Sequence, residues 1–150
     1  MSTRTRVARY SVAEEIANSI THGVGLVLAI GGLATLTALA ALHGSAWHVV
    51  GCSIFGATLV LSYLTSTLYH SLPAARAKSV LRVLDHCAIF LLIAGTYTPF
   101  MLVNLRGPWG WSLFGVVWAI AALGIVFKVT MLRRWTAVSV ALYIAMGWVV

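Results

Sequence analysis

The sequence predicts an all-α fold: one integral-membrane domain over residues 1–150, built as a polytopic bundle of transmembrane helices with five spans. Composition and the placement of charge support this prediction. Hydrophobic residues make up 61% of the chain and charged residues 9%, against about 25% charged residues in a typical soluble domain. The composition therefore excludes a soluble catalytic domain, a disordered chain and a disulfide-stapled secreted module.

Charged residues are missing from stretches as long as whole membrane spans. None occurs in the 60 residues between Glu15 and Arg76, in 86–105 or in 107–127. A hydrocarbon core of about 30 Å is crossed by roughly 20 apolar residues in a helix. Each stretch therefore has the length of one span or a multiple of it.

Turn signals divide these stretches into separate helices. The longest stretch turns once at residues 43–45, just before Trp47, because tryptophan is typical of the membrane–water interface. Pro73 and a basic cluster end the second span, and the breaker-rich stretch 104–108 ends the third. Pro99 lacks a backbone donor and predicts a kink within the third span. The predicted spans are 20–42, 47–69, 84–103, 109–127 and 135–150, the last only 16 residues long.

Basic residues predict the orientation. Counted from the N-terminus through four successive loops, they number 3, 0, 3, 1 and 3, which accounts for all ten. The positive-inside rule then places the N-terminus and the second and fourth loops in the cytoplasm. A cleaved signal peptide is the rival interpretation of the first span, but its apolar core of about 7–15 residues would be shorter than this one. The expected location is the inner (plasma) membrane, with multiple spans.

The net charge of +7 is spread over several short loops. It therefore forms no single basic face of the kind that binds nucleic acid. Membrane lipids are the expected partners, and nucleic acid is not one. The sequence leaves open whether the chain forms homo-oligomers.

Three polar side chains near the inner ends of spans 2 and 3 form the candidate site. Ser66 and His70 lie one helical turn apart, and Asp85 lies just inside span 3. The short connection between the spans places His70 and Asp85 near one depth. An ionisable residue within a membrane indicates function by default. An imidazole with a carboxylate could ligate a metal or hold a metal-bound water.

Structural roles remain open for these residues. His70 could be a polar side chain that ends a helix and reaches the interface. Asp85 could form an ion pair with Arg82, one turn earlier, near a helix N-terminus. Glu14 and Glu15 precede a helix start, where capping or solvation is the ordinary role.

His86 and the two cysteines are expected to have packing roles. His86 lies about 100° around the helix from Asp85, so it is expected to pack or bond to a neighbouring helix rather than share the site. Cys52 and Cys87 lie near opposite ends of their spans. They are therefore too far apart for a disulfide, which needs Cα atoms within about 7 Å.

Three motifs between residues 14 and 100 carry a resemblance to a known family. They are Glu14-Glu15 with Asn18, Thr21 and His22; Ser-x-x-x-His over 66–70; and the string from Leu84-Asp85-His86 through Ile89 to Phe100. With these motifs the chain resembles the hemolysin III family, within the progestin and adipoQ receptor superfamily.

The resemblance implies a seven-span protein with a cytoplasmic N-terminus and a zinc ion near the cytoplasmic ends of its helices. It assigns His70 as a zinc ligand, Asp85 as the partner of a zinc-bound water, and Ser66 as a residue that supports them. Two further histidines would come from a His-x-x-x-His motif in the seventh span. Zinc is thus the expected cofactor of the intact fold.

The implied activity is hydrolysis of lipid amides or esters, or a role in membrane-lipid homeostasis. The alternative is a non-enzymatic membrane effector, either a receptor-like regulator or a cytolytic pore. A proton or ion pathway through Glu15, His22, His70 and Asp85 is a third, weaker interpretation.

The sequence departs from the family pattern in its C-terminal part. No histidine follows His86, and five rather than seven spans are present. One histidine with a carboxylate that acts through water is fewer than the three protein ligands of catalytic zinc sites. We therefore expect this chain alone to bind zinc weakly or not at all. We also expect it to be a piece of a longer reading frame rather than a shortened homologue.

Overall fold

The computed structural model describes residues 10–130 and 136–149, and every regular element in these ranges is a helix. The elements are α1 (Val12–His43), α2 (Ala46–Ser71), α3 (Ala75–Pro99), a π-helical segment (Phe100–Asn104), α4 (Pro108–Thr130) and α5 (Thr136–Gly147). Four of them are long and apolar enough to cross a membrane: α1, α2, α3 with its π-helical continuation, and α4. The apolar helix α5 has only 12 residues. The predicted all-α polytopic bundle is confirmed.

Helix α1 begins eight residues before the predicted span because of a capping box. The Ser11 side chain accepts a hydrogen bond from the Glu14 backbone (3.2 Å), and the Glu14 carboxylate accepts one from the Ser11 backbone (2.6 Å). This reciprocal pair satisfies two backbone donors that a helix start leaves open. The capping role predicted for a glutamate at this position is therefore confirmed for Glu14.

Helices α1 and α2 form an antiparallel pair around the predicted turn, which occupies Gly44 and Ser45. Hydroxyl contacts join the helices near both ends: Thr37 to Ser53 (3.4 Å) beside the turn, and Ser19 to Ser71 (2.6 Å) at the far end. The backbones approach closely between these contacts, because a Cβ added to Gly56 would lie 2.9 Å from the Leu33 Cβ.

Helix α3 also begins earlier than its predicted span. Only three residues, 72–74, separate it from α2, and they include Pro73. Two of the basic residues expected to lie beyond the second span, Arg76 and Lys78, lie in the first turn of α3 instead. At the predicted kink, the α-helix changes to π-helix directly after Pro99. A proline removes one helical hydrogen bond, and π-helical turns occur where the regular ladder is interrupted.

The buried core lies among α3, the π-helical segment, α4 and α5. Its fully buried members are Phe90, Ala94, Met101, Val117, Ala121 and Met146. Polar bonds tie these helices together: Trp118 Nε1 donates to Thr98 Oγ1 (3.1 Å), and Tyr97 donates to the Gly147 carbonyl (2.6 Å). Helix α1, in contrast, leaves many large apolar side chains exposed. Such a surface is unusual in water and suits lipid.

Candidate functional site

The candidate site lies where the first three helices meet at one end of the bundle. Because α1, α2 and α3 alternate in direction, the start of α1, the end of α2 and the start of α3 meet there. Helix α2 presents Ser66 and His70 one turn apart near its last residues, and α3 presents Asp85 across from them. All three predicted site residues therefore lie at this end.

A side-chain hydrogen bond between Ser66 and Asp85 joins α2 to α3. The Ser66 hydroxyl donates to Asp85 Oδ1 across the half-buried helix interface. The structure thus joins two of the three predicted residues.

His70 bonds to Glu15 rather than to Asp85. Its Nδ1 lies 2.7 Å from Glu15 Oε2, and the other carboxylate oxygen, Oε1, lies 2.6 Å from Lys78 Nζ. The His70 side chain is 8% exposed and that of Glu15 is 18% exposed. Glu15 therefore connects all three helices. It was expected to cap or to be solvated, and the structure corrects that interpretation.

The His70 ring is enclosed by other rings. His22 of α1 stacks on it with a centroid distance of 5.8 Å and an interplanar angle of 2°. Tyr10 meets it edge-on at 5.6 Å, and Tyr69 lies 4.7 Å away. The Lys78 ammonium lies 5.1 Å from the centre of the Tyr69 ring. His70 is consequently held in one orientation by neighbours from α1 and α2, which does not fit a side chain that simply reaches the interface.

Asp85 does not form the alternative ion pair with Arg82. Among the described side chains, the ion pairs within 4.0 Å join Glu15 to His70 and to Lys78, while Asp85 bonds to Ser66. Arg82 takes part in a different hydrogen bond through its backbone: its carbonyl oxygen accepts from His86 Nδ1 (2.6 Å).

His86 and the cysteines lie outside the candidate site. The His86 ring bonds within its own helix, and its backbone carbonyl accepts a bond from Tyr143 of α5 (2.9 Å). The expected contact of His86 with a neighbouring helix is therefore made through its backbone carbonyl, which bonds to α5. Cys52 and Cys87 are free thiols, as predicted.

A periodicity in the sequence could have identified Glu15. Adjacent residues on a helix point about 100° apart, so Glu14 and Glu15 cannot both face α2. Glu15 and His22 are seven residues apart, which is two turns, and both contact His70. This spacing, rather than the pair of carboxylates, marks the face of α1 that belongs to the site.

The donor chemistry at His70 suits zinc, although the described residues do not complete a zinc site. A histidine that ligates a metal through one ring nitrogen commonly bonds a carboxylate through the other, as His70 does to Glu15. Within 10–130 and 136–149, however, no group of three or more His, Cys, Asp or Glu side chains could hold a metal ion. Catalytic zinc usually has three protein ligands.

A bundle of apolar helices with a polar cluster at one end, supplied by its first three helices, defines a polytopic membrane protein. A family model described as "Haemolysin-III related" matches residues 10–150. The chain therefore belongs to the hemolysin III family, and the resemblance seen in its motifs is confirmed.

Named relatives support this assignment. "Hemolysin-3" of Bacillus cereus is 47% identical over 146 residues, which cover 97% of this chain and 66% of the relative. "Hemolysin-3 homolog" of Bacillus subtilis is 48% identical over 139 residues, covering 93% and 65%. "Monocyte to macrophage differentiation factor" of Homo sapiens is 28% identical over 141 residues, covering 89% and 57%. The chain thus spans about two thirds of the length of its bacterial relatives. No solved structure matches it.

Proposed function

We propose that the complete protein is a zinc-dependent membrane hydrolase that cleaves an amide or ester bond of a lipid, and so contributes to membrane-lipid homeostasis. The observation behind this proposal is the bond between Ser66 and Asp85, one helical turn from a histidine whose Nδ1 is bonded to a carboxylate. Such a group of ionisable residues is expensive in a membrane and is a mark of function.

Each residue has a role that follows from its contacts. His70 would hold the metal through Nε2, because its Nδ1 is engaged by Glu15. Asp85 accepts a hydrogen bond from the Ser66 hydroxyl at Oδ1, which leaves Oδ2 to accept the proton of an attacking water. Zinc, when bound, would supply the Lewis acidity that makes water nucleophilic near neutral pH. Ser66 fixes the rotation of the Asp85 carboxylate.

The remaining ligands are part of the proposal. The family resemblance assigns them to a His-x-x-x-His pair in a seventh span, and the matched relatives are longer than this chain. With His70 as its one histidine ligand, residues 1–150 alone are expected to bind zinc weakly or not at all.

The proposed location is the inner (plasma) membrane with the N-terminus in the cytoplasm. The alternation of basic residues through the loops supports this orientation. It places the candidate site at the cytoplasmic end of the bundle, where a lipid headgroup and the adjoining amide or ester lie within reach.

Metal analysis tests the ligand assignment. The protein is expressed from its full reading frame, purified in detergent as wild type, His70→Ala and His43→Ala, and its zinc content is measured. His43 is a matched control because it is exposed in the last turn of α1, at the other end of the bundle. Zinc retained by wild type and His43→Ala and lost from His70→Ala is the expected result. Equal zinc in all three proteins would refute the assignment.

The name hemolysin, which both bacterial relatives carry, favours a second candidate, a lytic membrane effector without catalysis. Lysis of red cells by wild type, His70→Ala and Asp85→Asn separates the two. Lysis that survives both substitutions would support the effector. Loss of lysis in both would count against it and favour a function that depends on the site.

A further inference from the structure

We propose that Glu15 is the positioning residue of His70: it fixes the proton of the imidazole on Nδ1 and thereby presents Nε2 to the metal. This inference rests on the proposed function, because it assumes that His70 is a ligand. It adds a residue of α1 to a site otherwise built from α2 and α3.

The geometry makes Glu15 the shared acceptor of two donors. Oε2 lies 2.7 Å from His70 Nδ1, and Oε1 lies 2.6 Å from Lys78 Nζ. An ammonium has donors only, so Oε1 accepts from Lys78. The two oxygens of one carboxylate thus contact two different helices, α2 through His70 and α3 through Lys78.

The charge of Lys78 determines which partner donates in the bond to His70. A cation 2.6 Å from the carboxylate stabilises its ionised form, and an ionised carboxylate can only accept. The proton between Glu15 and His70 therefore belongs to Nδ1. A neutral imidazole with its proton on Nδ1 has one free lone pair, on Nε2. The metal-binding nitrogen of His70 is selected by this arrangement before any metal arrives.

Ring contacts complete the positioning. The His22 ring is parallel to the His70 ring with centroids 5.8 Å apart, and the ring centroids of Tyr10 and Tyr69 lie 5.6 Å and 4.7 Å from that of His70. These neighbours limit rotation of the imidazole, while the hydrogen bond to Glu15 turns Nδ1 toward α1 and leaves Nε2 for the metal. An ion pair with a doubly protonated His70 would also hold the helices together, but it would leave no lone pair on Nε2 for a metal.

The tautomer of His70 can be measured directly in the chain of 150 residues without metal. Protein labelled with ¹⁵N-histidine is placed in detergent micelles at an alkaline pH where imidazole is neutral. Long-range ¹H–¹⁵N spectra then report which ring nitrogen carries the proton, and His70→Ala identifies the His70 signals. Wild type is expected to show the Nδ1–H form. Glu15→Met, which keeps the side-chain length but replaces the carboxylate with a weakly accepting thioether, is expected to lose that preference.

Glu14→Met is the matched control. It removes a carboxylate one position away, together with the capping box, and the hydrogen bonds of Glu14 go to Ser11 rather than to His70. It should keep the Nδ1–H form. An Nδ1–H form in Glu15→Met equal to that of wild type, or an Nε2–H form in wild type, would overturn the inference. Glu15→Ala provides a second variant if Glu15→Met does not fold.

Zinc affinity separates this inference from the proposed function. In protein from the full reading frame, chelator competition is expected to show an affinity about 10- to 100-fold weaker in Glu15→Met than in wild type or Glu14→Met. Equal affinity in wild type and His70→Ala would refute the proposed function. Weakened affinity in His70→Ala with wild-type affinity in Glu15→Met would refute the positioning role alone.

Discussion

Glu14 and Glu15 are adjacent in the sequence, but their side chains make different contacts because a helix rotates by about 100° per residue. Glu14 points back to Ser11 and closes the start of α1. Glu15 points toward α2 and α3 and bonds to His70 and Lys78. One carboxylate therefore stabilises a single helix, and the other connects three.

Ser66→Ala tests the contribution of the hydroxyl that bonds Asp85. The substitution leaves the carboxylate half-buried without its donor, so we expect a loss of about 1 kcal/mol in unfolding free energy, within the range for such bonds in membranes. Thermal or denaturant unfolding in detergent measures it. Ser112→Ala is the control, because Ser112 is exposed and bonds to the Pro108 carbonyl of its own helix. Equal stability of Ser66→Ala and Ser112→Ala would show that the bond to Asp85 contributes nothing.

The site residues differ in how far the sequence predicts them. Ser66, His70 and Asp85 stand out because polar residues are rare within apolar stretches, and antiparallel spans bring them to one end. Their pairing does not follow from spacing, because it depends on how α1 is rotated against α2. That rotation assigns Glu15 to His70 and leaves Asp85 to Ser66.

At the scale of helices, the sequence predicts membrane spans better than helix ends. The four long helices contain the first four predicted spans, but α1 and α3 extend further at the end that holds the site. Charged residues in the sequence mark the edge of the bilayer's hydrocarbon core, whereas the backbone hydrogen bonds of a helix can continue beyond that edge. The first two turns of α3 are helical for this reason although they carry Arg76, Lys78 and Arg82. The start of the predicted fifth span, residue 135, lies outside the described residues.

Gly95→Ala tests the packing of α3 against α2. A Cβ at this position would overlap the hydroxyl of Thr58, which is itself buried. Overpacking of this kind costs about 1–3 kcal/mol, so we expect a lower unfolding temperature in detergent. Gly115→Ala is the matched control, since nothing lies within 4 Å of a Cβ added there. It should be neutral or slightly stabilising because alanine favours the helix. Equal effects of the two substitutions would contradict the close approach of α2 and α3.

At the scale of the whole molecule, the two ends of the bundle differ in chemistry. One end holds the Glu15, His70 and Asp85 cluster. At the other end, Trp47 packs edge-on against Trp111 at 5.5 Å, and Arg106 lies 4.9 Å from the centre of the Trp47 ring. Aromatic residues favour both membrane interfaces, so the rings anchor this end without deciding which side it faces. The orientation depends on the basic residues of the loops.

Cysteine accessibility tests that orientation. Ala74 lies in the connection between α2 and α3, and Leu105 lies between the π-helical segment and α4; both are exposed and uncharged. Ala74→Cys and Leu105→Cys are made separately in a background with Cys52→Ala and Cys87→Ala. A membrane-impermeant thiol reagent added to intact cells is expected to label Leu105→Cys and not Ala74→Cys, because the basic loop is retained in the cytoplasm.

The same reagent added to lysed cells provides the control for that experiment. Both variants should then be labelled, which shows that the thiol of Ala74→Cys is reactive and was protected by the membrane. Labelling of Ala74→Cys alone in intact cells would reverse the orientation and place the candidate site at the outer surface. Because Ala74 lies only four residues after His70, the result also decides from which side of the membrane a water-soluble chelator would reach the proposed zinc site.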